Sequence, residues 1–180
     1  KTLERLKPSG IRRFFDIASE MDDVISLSIG EPDFSTPWHI REAGIQSLEK
    51  GKTWYSPNSG LFKLRKNIAG YIKKHRGLCY DPKDEILVTV GGSEAIDLGL
   101  RSLISPGDEV LIPQPSFVCY EPLAQLAGGT VKPIVTRAED CFRLTADALR
   151  AAITPRTRLL IMSYPNNPTG GVMRREHLEE

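Results

Sequence analysis

Long apolar runs are missing from this chain. None approaches the ~18 residues that a membrane span requires, and the opening KTLERLKPSG lacks the apolar centre of a signal peptide. Neither a membrane partner nor export is marked, and a cytoplasmic location is expected. An excess of one charge is missing as well: 24 Lys and Arg stand against 23 Asp and Glu, a net charge of +1. That balance excludes the basic footprint of a nucleic-acid binder. Cysteine is scarce. Cys79, Cys119 and Cys141 are odd in number, widely spaced and without a C-x-x-C pair, so reduced structural thiols are expected rather than zinc or redox chemistry. His39, His75 and His177 lack ligand spacing, and no metal site is expected. Neither G-x-x-x-x-G-K-[ST] nor G-x-G-x-x-G occurs, which disfavours a nucleoside triphosphate or a dinucleotide. What remains is an ordinary globular composition, 40% hydrophobic and 26% charged over 180 residues, able to bury a core.

Helical spacing of Ile11, Phe14, Phe15 and Ala18 predicts a first helix over residues 9–21, followed by a short strand in VISLSIG. STPWHIREAGIQSLEKG predicts a second helix, with Thr36 as N-cap, Pro37 at the first helical position and Gly51 just past the end. SGLFKLRKNIAGYIKKHRG predicts a third, with Leu61, Leu64, Ile68, Tyr71 and Ile72 on its apolar face. From residue 86 the rhythm changes. EILVTV, EVLIP, VKPIV and RLLIM are short, apolar and weakly alternating, as strands covered on both faces are. Helical stretches SEAIDLGLRSLI, EPLAQLAG and TADALRAAI separate them, with a last helix starting near Met173. This alternation predicts an α/β fold with an open, mostly parallel sheet and helices on both faces. A boundary is expected in GEPDFSTP, dividing an arm over residues 1–34 from an α/β body over 35–180.

Ligands of open α/β sheets bind beyond the carboxyl ends of the strands, and three unusual loops fall there. In VTVGGSEAI a strand passes through two glycines into a helix starting near Ser93. Its bare amides and the Ser93 hydroxyl would seat a phosphate, although a plain glycine turn with a serine N-cap has the same residues. In IPQPSFVCY, Phe117 follows a strand between prolines, placed either to stack on a flat ring or to join the core. In SYPNNPTGG, Asn166 and Asn167 stand between Pro165 and Pro168 in a rigid polar loop. A tight turn would explain the prolines and glycines but leaves two adjacent amides without a task. Phosphate, ring and polar ring substituent together describe a phosphorylated aromatic cofactor.

SIGEPDFSTP, KTWYSPNSGLFKLR, VTVGGSEAI, PGDEVLIPQPSFVCY, ITPRTRLLIM and SYPNNPTGG, in that order, resemble the motifs of class I/II pyridoxal-phosphate-dependent aminotransferases of fold type I. The resemblance spans nearly the whole chain. It implies the N-terminal part of the large pyridoxal-phosphate-binding domain over residues 35–180, preceded by an arm of the small domain over residues 1–34. It also implies pyridoxal 5'-phosphate as cofactor, with Gly92, Ser93 and Glu94 holding the phosphate through amides and the Ser93 hydroxyl. Phe117 would stack on the ring and Asn167 would donate to its phenolic oxygen. Tyr55 would reach the phosphate of the neighbouring subunit in a homodimer, and Gly30 would lie with Asn167 beside the substrate. The Glu94 side chain is expected to point away from the phosphate, with only its amide used. The activity implied is exchange of an amino group between an L-amino acid and a 2-oxo acid. A lyase of the same fold acting by β-elimination, or the ligand-sensing domain of a regulator, shares these loops; the regulator would need a basic winged-helix segment upstream. No catalytic residue is assigned within the chain. The family's Schiff-base lysine, its pyridinium aspartate and its carboxylate-binding arginine are expected beyond Glu180, and residues 1–180 alone are expected to be inactive.

Overall fold

Val110, Leu111 and Ile112 follow one another without a polar break, and a strand of that kind must be covered on both faces. In the computed structural model they sit in strand β1, Glu109–Gln114, and each is at most 1% exposed. Residues 32–180 are described without a break, together with isolated earlier positions that include Gly30. The expected first helix and first strand lie largely outside the described residues. The chain divides into two compact units, one of residues 90–180 with 1–8, the other of residues 9–89.

The unit containing residues 90–180 runs α3 (Gly91–Leu103), β1, α4 (Tyr120–Leu126), β2 (Thr130–Val135), a 3-10 turn (Ala138–Asp140), α5 (Ala146–Ala152), β3 (Thr157–Leu160) and α6 (Arg175–Glu179), with α1 and α2 the helices among the described residues of the other unit. The three strands form a parallel sheet in the order β2-β1-β3. Successive side chains of β1 point to opposite faces. Val110 and Ile112 pack with Leu100 and Ile104 at the end of α3 and with Tyr120 and Ala124 of α4. Leu111 turns to the other face, among Ile134, Leu144, and the α5 residues Ala148 and Leu149. Helices therefore cover both faces of the sheet, as the α/β rhythm requires.

The amino-terminal edge of the sheet is held by a buried carboxylate. Glu109 has no exposed surface; the Thr154 hydroxyl donates to its Oε2 at 2.6 Å and Arg156 Nη2 to its Oε1 at 2.9 Å, with Lys132 Nζ 3.9 Å away. A buried charge is tolerated only when paired and hydrogen-bonded, and here the partners come from β2 and from the approach to β3. Thr154 and Arg156 themselves join through the Arg156 amide and the Thr154 hydroxyl, 3.1 Å apart.

The unit of residues 9–89 carries α1 (Trp38–Glu49) and α2 (Phe62–Arg76). Pro37, rather than Thr36, is the N-cap of α1: its ψ of 141° is extended, so helical dihedrals begin at Trp38, and no side chain caps the end. Gly51 follows the helix at φ 65°, as its position predicted. The expected apolar face of α2 is not buried. Leu61, Leu64 and Tyr71 are exposed, and the one buried residue of α2 is Arg65. Its guanidinium is enclosed by backbone carbonyls, Nη1 donating to Pro82 at 2.6 Å and Lys83 at 2.7 Å, and Nε to Gly60 at 3.2 Å.

EILVTV does not form the expected strand. Residues 86–89 belong to no ladder among the described residues, and Val88 donates its amide to Ser59 in a loop. Apolar β-branched sequence favours extension, but a strand also needs a neighbour with matching donors and acceptors. Gly60 makes the Ser59 contact possible: at φ 91°, a Cβ on it would stand 2.6 Å from Val88 Cβ.

Glu109 supplies a pH test. The Thr154 hydroxyl, helped by Lys132 and Arg156 and opposed by burial, holds its carboxyl below the usual carboxylate range. A depressed folded-state pKa stabilises the fold above the unfolded value of about 4.3 and loses that stabilisation as pH falls through the folded value. In the full-length protein, Glu109→Gln is expected to lower the melting temperature at pH 7, with the gap to wild type closing as pH falls below the unfolded value of about 4.3 and through the lowered folded one. Thermal unfolding followed by circular dichroism at stepped pH checks this, and a gap independent of pH contradicts it.

Candidate cofactor site

All three loops picked out in the sequence lie at the carboxyl edge of the parallel sheet, and the structure ties them together. Ser93, at the start of α3, donates its hydroxyl to Cys119 Sγ at 3.9 Å in the loop after β1. Asn166, in the loop after β3, donates Nδ2 to the Pro115 carbonyl at 2.9 Å in that same β1 loop. The β1 loop is thus the hub.

The helix start differs from expectation by two residues. Val90 is the N-cap, helical structure begins at Gly91, and Ser93 is inside the first turn rather than capping it. Gly91 takes φ 81°, a left-handed conformation that costs a residue with a Cβ and explains this glycine. Gly92 has no such φ, and a Cβ on it would meet nothing within 4 Å. Packing of the chain does not require glycine there; close approach of a ligand to the backbone would. The first amides of a helix lack intrahelical acceptors and carry the positive end of its dipole, which suits an anion.

Glu94 overturns one expectation. Its side chain does not point away but folds back over the helix end, where Oε2 accepts a hydrogen bond from the Val90 amide. The Val90 donor needs an acceptor once the chain turns into the helix, and the carboxylate four residues on supplies it, in the manner of a capping box.

Phe117 is half-buried, and the two readings of it turn out to be compatible. One side packs against the α3/α4 core, with the Tyr120 ring meeting it edge-on at 5.8 Å between centroids and 78° between planes. A ring held in this way has part of its surface left for a ligand. Cys119, next to it, is partly buried, and burial pushes its thiol above the ordinary range against the opposing Ser93 hydrogen bond.

Asn166 and Asn167 separate cleanly. Asn166 Nδ2 also donates to Thr169 Oγ1 at 2.9 Å, and its backbone closes the loop through Gly170 and Gly171, each bond 2.8 Å. Asn167 is exposed and makes no side-chain hydrogen bond among the described residues. Tyr164 went unnoticed in the sequence. Its hydroxyl accepts from the Leu144 amide at 2.9 Å and donates to the Phe142 carbonyl at 3.1 Å, pinning the β3 loop to the segment that follows β2. A tyrosine closing an apolar run was the signal available. Gly30 and Tyr55 belong to the unit of residues 9–89, where both are exposed, Tyr55 completely.

The donor set fits pyridoxal 5'-phosphate: helix-end amides with a hydroxyl for the phosphate, an aromatic face for the ring and an unengaged amide for a ring oxygen. Three loops gathered at one edge of a parallel sheet stand where open α/β proteins generally take their ligands. The chain belongs to the family described as Aminotransferase class I and II, whose pattern matches residues 22–180. It is 48% identical over 178 residues to an aromatic-amino-acid aminotransferase of Thermococcus litoralis, covering 99% of this chain and 46% of the relative. An aspartate aminotransferase of Pyrococcus abyssi matches with the same identity and coverage. Among solved structures, a Pyrococcus protein superposes with a TM-score of 0.93 at 49% identity, covering 99% of this chain and 46% of its own. The chain therefore spans about half the length of the relatives it matches.

The two asparagines are expected to respond differently to substitution. In the full-length protein, Asn166→Ala should cost about 1 to 3 kcal/mol of stability, two hydrogen bonds at the usual net value each. Asn167→Ala should leave stability within about 0.5 kcal/mol and weaken cofactor retention instead. Denaturant unfolding and equilibrium dialysis of each variant distinguish the roles, and a reversed pattern would exchange them.

Proposed function

We propose that the protein is a pyridoxal-phosphate-dependent transaminase, exchanging an amino group between an L-amino acid and a 2-oxo acid. The observation that carries this is the joining of the three loops through Ser93 to Cys119 and Asn166 to Pro115, which links the start of α3, the Phe117 loop and the Asn167 loop at one place, with Ser93 and Asn167 exposed and Phe117 half-buried. The cofactor, when bound, takes up the electron pair released as the substrate Cα loses its proton.

Gly92, Ser93 and Glu94 would hold the phosphate through backbone amides, with the Ser93 hydroxyl leaving Cys119 to donate to it. A 3.9 Å bond to sulfur is weak, so little is lost in that exchange. Phe117 would fix the ring plane, its own orientation set by Tyr120. Asn167 would donate to the phenolic oxygen and lie beside the substrate with Gly30. Tyr55, fully exposed at the end of WY, suits a side chain that another copy covers, and a homodimer in which it reaches the neighbouring phosphate belongs to this proposal. So do the division into a small-domain arm over residues 1–34 and large-domain residues 35–180, and a cytoplasmic setting in which the three free cysteines stay reduced. No helix among the described residues is long and apolar enough to cross a membrane. The two relatives described above are named for aromatic amino acids and for aspartate, so the substrate is left at the class of L-amino acids.

The test uses the full-length protein loaded with pyridoxal 5'-phosphate. Its visible absorbance should bleach on adding an L-amino acid and return on adding a 2-oxo acid, with the new amino acid detected by chromatography. Release of ammonia without amino transfer would overturn the proposal in favour of a lyase. Ser93→Ala should weaken cofactor retention by about 1 to 3 kcal/mol, the range for hydrogen bonds to charged groups, and unchanged retention on dialysis would remove Ser93 from the phosphate seat.

A further inference from the structure

The amino end of α3 already holds an anion belonging to the chain. The Glu94 carboxylate accepts the Val90 amide, placing a negative charge within one turn of Gly92 and Ser93. No basic side chain compensates it among the described residues. The basic residue of this helix, Arg101, lies further along and is committed to Asp97 at 2.9 and 3.0 Å. A helix end offers about half a positive charge, and a phosphate monoester brings about 1.5 to 2 negative ones. Two anions therefore compete for one fractional positive charge.

We propose that Glu94 is an electrostatic brake on the phosphate seat: its carboxylate caps the turn into α3 and, by its charge, weakens the binding of the phosphorylated cofactor. The two effects belong to different parts of the side chain. Capping needs an acceptor oxygen, which an amide also has, whereas the brake needs the charge. Glu94→Gln keeps the first and removes the second. The proposal rests on the phosphate lying at the start of α3, as in the proposed function, and its test must separate the two ideas.

The probe is pyridoxamine 5'-phosphate, which forms no bond to a lysine, titrated by fluorescence into the cofactor-stripped full-length protein, with phosphate-free pyridoxamine as control. For Glu94→Gln the dissociation constant of pyridoxamine 5'-phosphate is expected to fall about three- to tenfold at low ionic strength, as Coulomb repulsion across a hydrated helix end implies. The gain should shrink in about 1 M salt, where the screening length drops to about 3 Å. Binding of pyridoxamine should not change. An unchanged or larger dissociation constant for the phosphorylated probe, or an equal gain for pyridoxamine, overturns the brake. Ser93→Ala separates this failure from that of the seat. If Ser93→Ala weakens only the phosphorylated probe while Glu94→Gln does nothing, the seat stands and the brake falls. If neither substitution alters the preference for the phosphorylated probe, the phosphate does not lie at α3, and the brake falls with the seat.

Discussion

Strand β1 is hydrogen-bonded along both edges and covered on both faces, and what this unit offers a ligand depends on that position. Its pairing with β2 and β3 sets their registers, its alternate side chains hold α3 and α4 on one face and α5 on the other, and the loop after Gln114 receives hydrogen bonds from the other two site loops. A central parallel strand cannot shift by one residue without exchanging Leu111 with Val110 and Ile112 between two different cores. The position of Phe117 is inherited from that register.

The two ends of the sheet are built from different materials. At the amino end, Glu109 draws Thr154, Arg156 and Lys132 into a closed cluster in which the charge is fully answered. At the carboxyl end, the contacts are backbone carbonyls, a hydroxyl, an amide and a thiol, and the Glu94 carboxylate sits at the positive end of the helix dipole. Closed electrostatics at one edge give rigidity, and open electrostatics at the other leave room for a ligand's charge. This is how α/β proteins commonly divide stability from function between the two ends of their strands.

Much of this was legible in the sequence because the relevant signals are local. The runs EVLIP, VKPIV and RLLIM became β1, β2 and β3, since continuous apolar residues in a short segment have few other ways to be buried. The three loops declared themselves through glycine, proline and asparagine, whose backbone preferences do not depend on distant partners. What escaped depends on the partner. EILVTV lacks a neighbouring strand among the described residues, Arg65 on α2 is buried where three carbonyls from two separate segments converge on it, and Tyr164 closes onto a segment twenty residues earlier. The Glu94 side chain was misjudged for a related reason: its repulsion from a ligand could be foreseen, but the demand of the Val90 amide for an acceptor depends on where the helix begins.

The Asn166 side chain spans two connections that are far apart in the chain, reaching from the β3 loop to Pro115 in the β1 loop. Mechanically the two loops are one part. An engineer transplanting the Phe117 loop from a relative without its matching asparagine loop would import a carbonyl whose donor stands at the wrong height, and the mismatch would displace the ring and the neighbouring amide together. These loops are best exchanged as a pair, and natural lineages are expected to have varied them in concert.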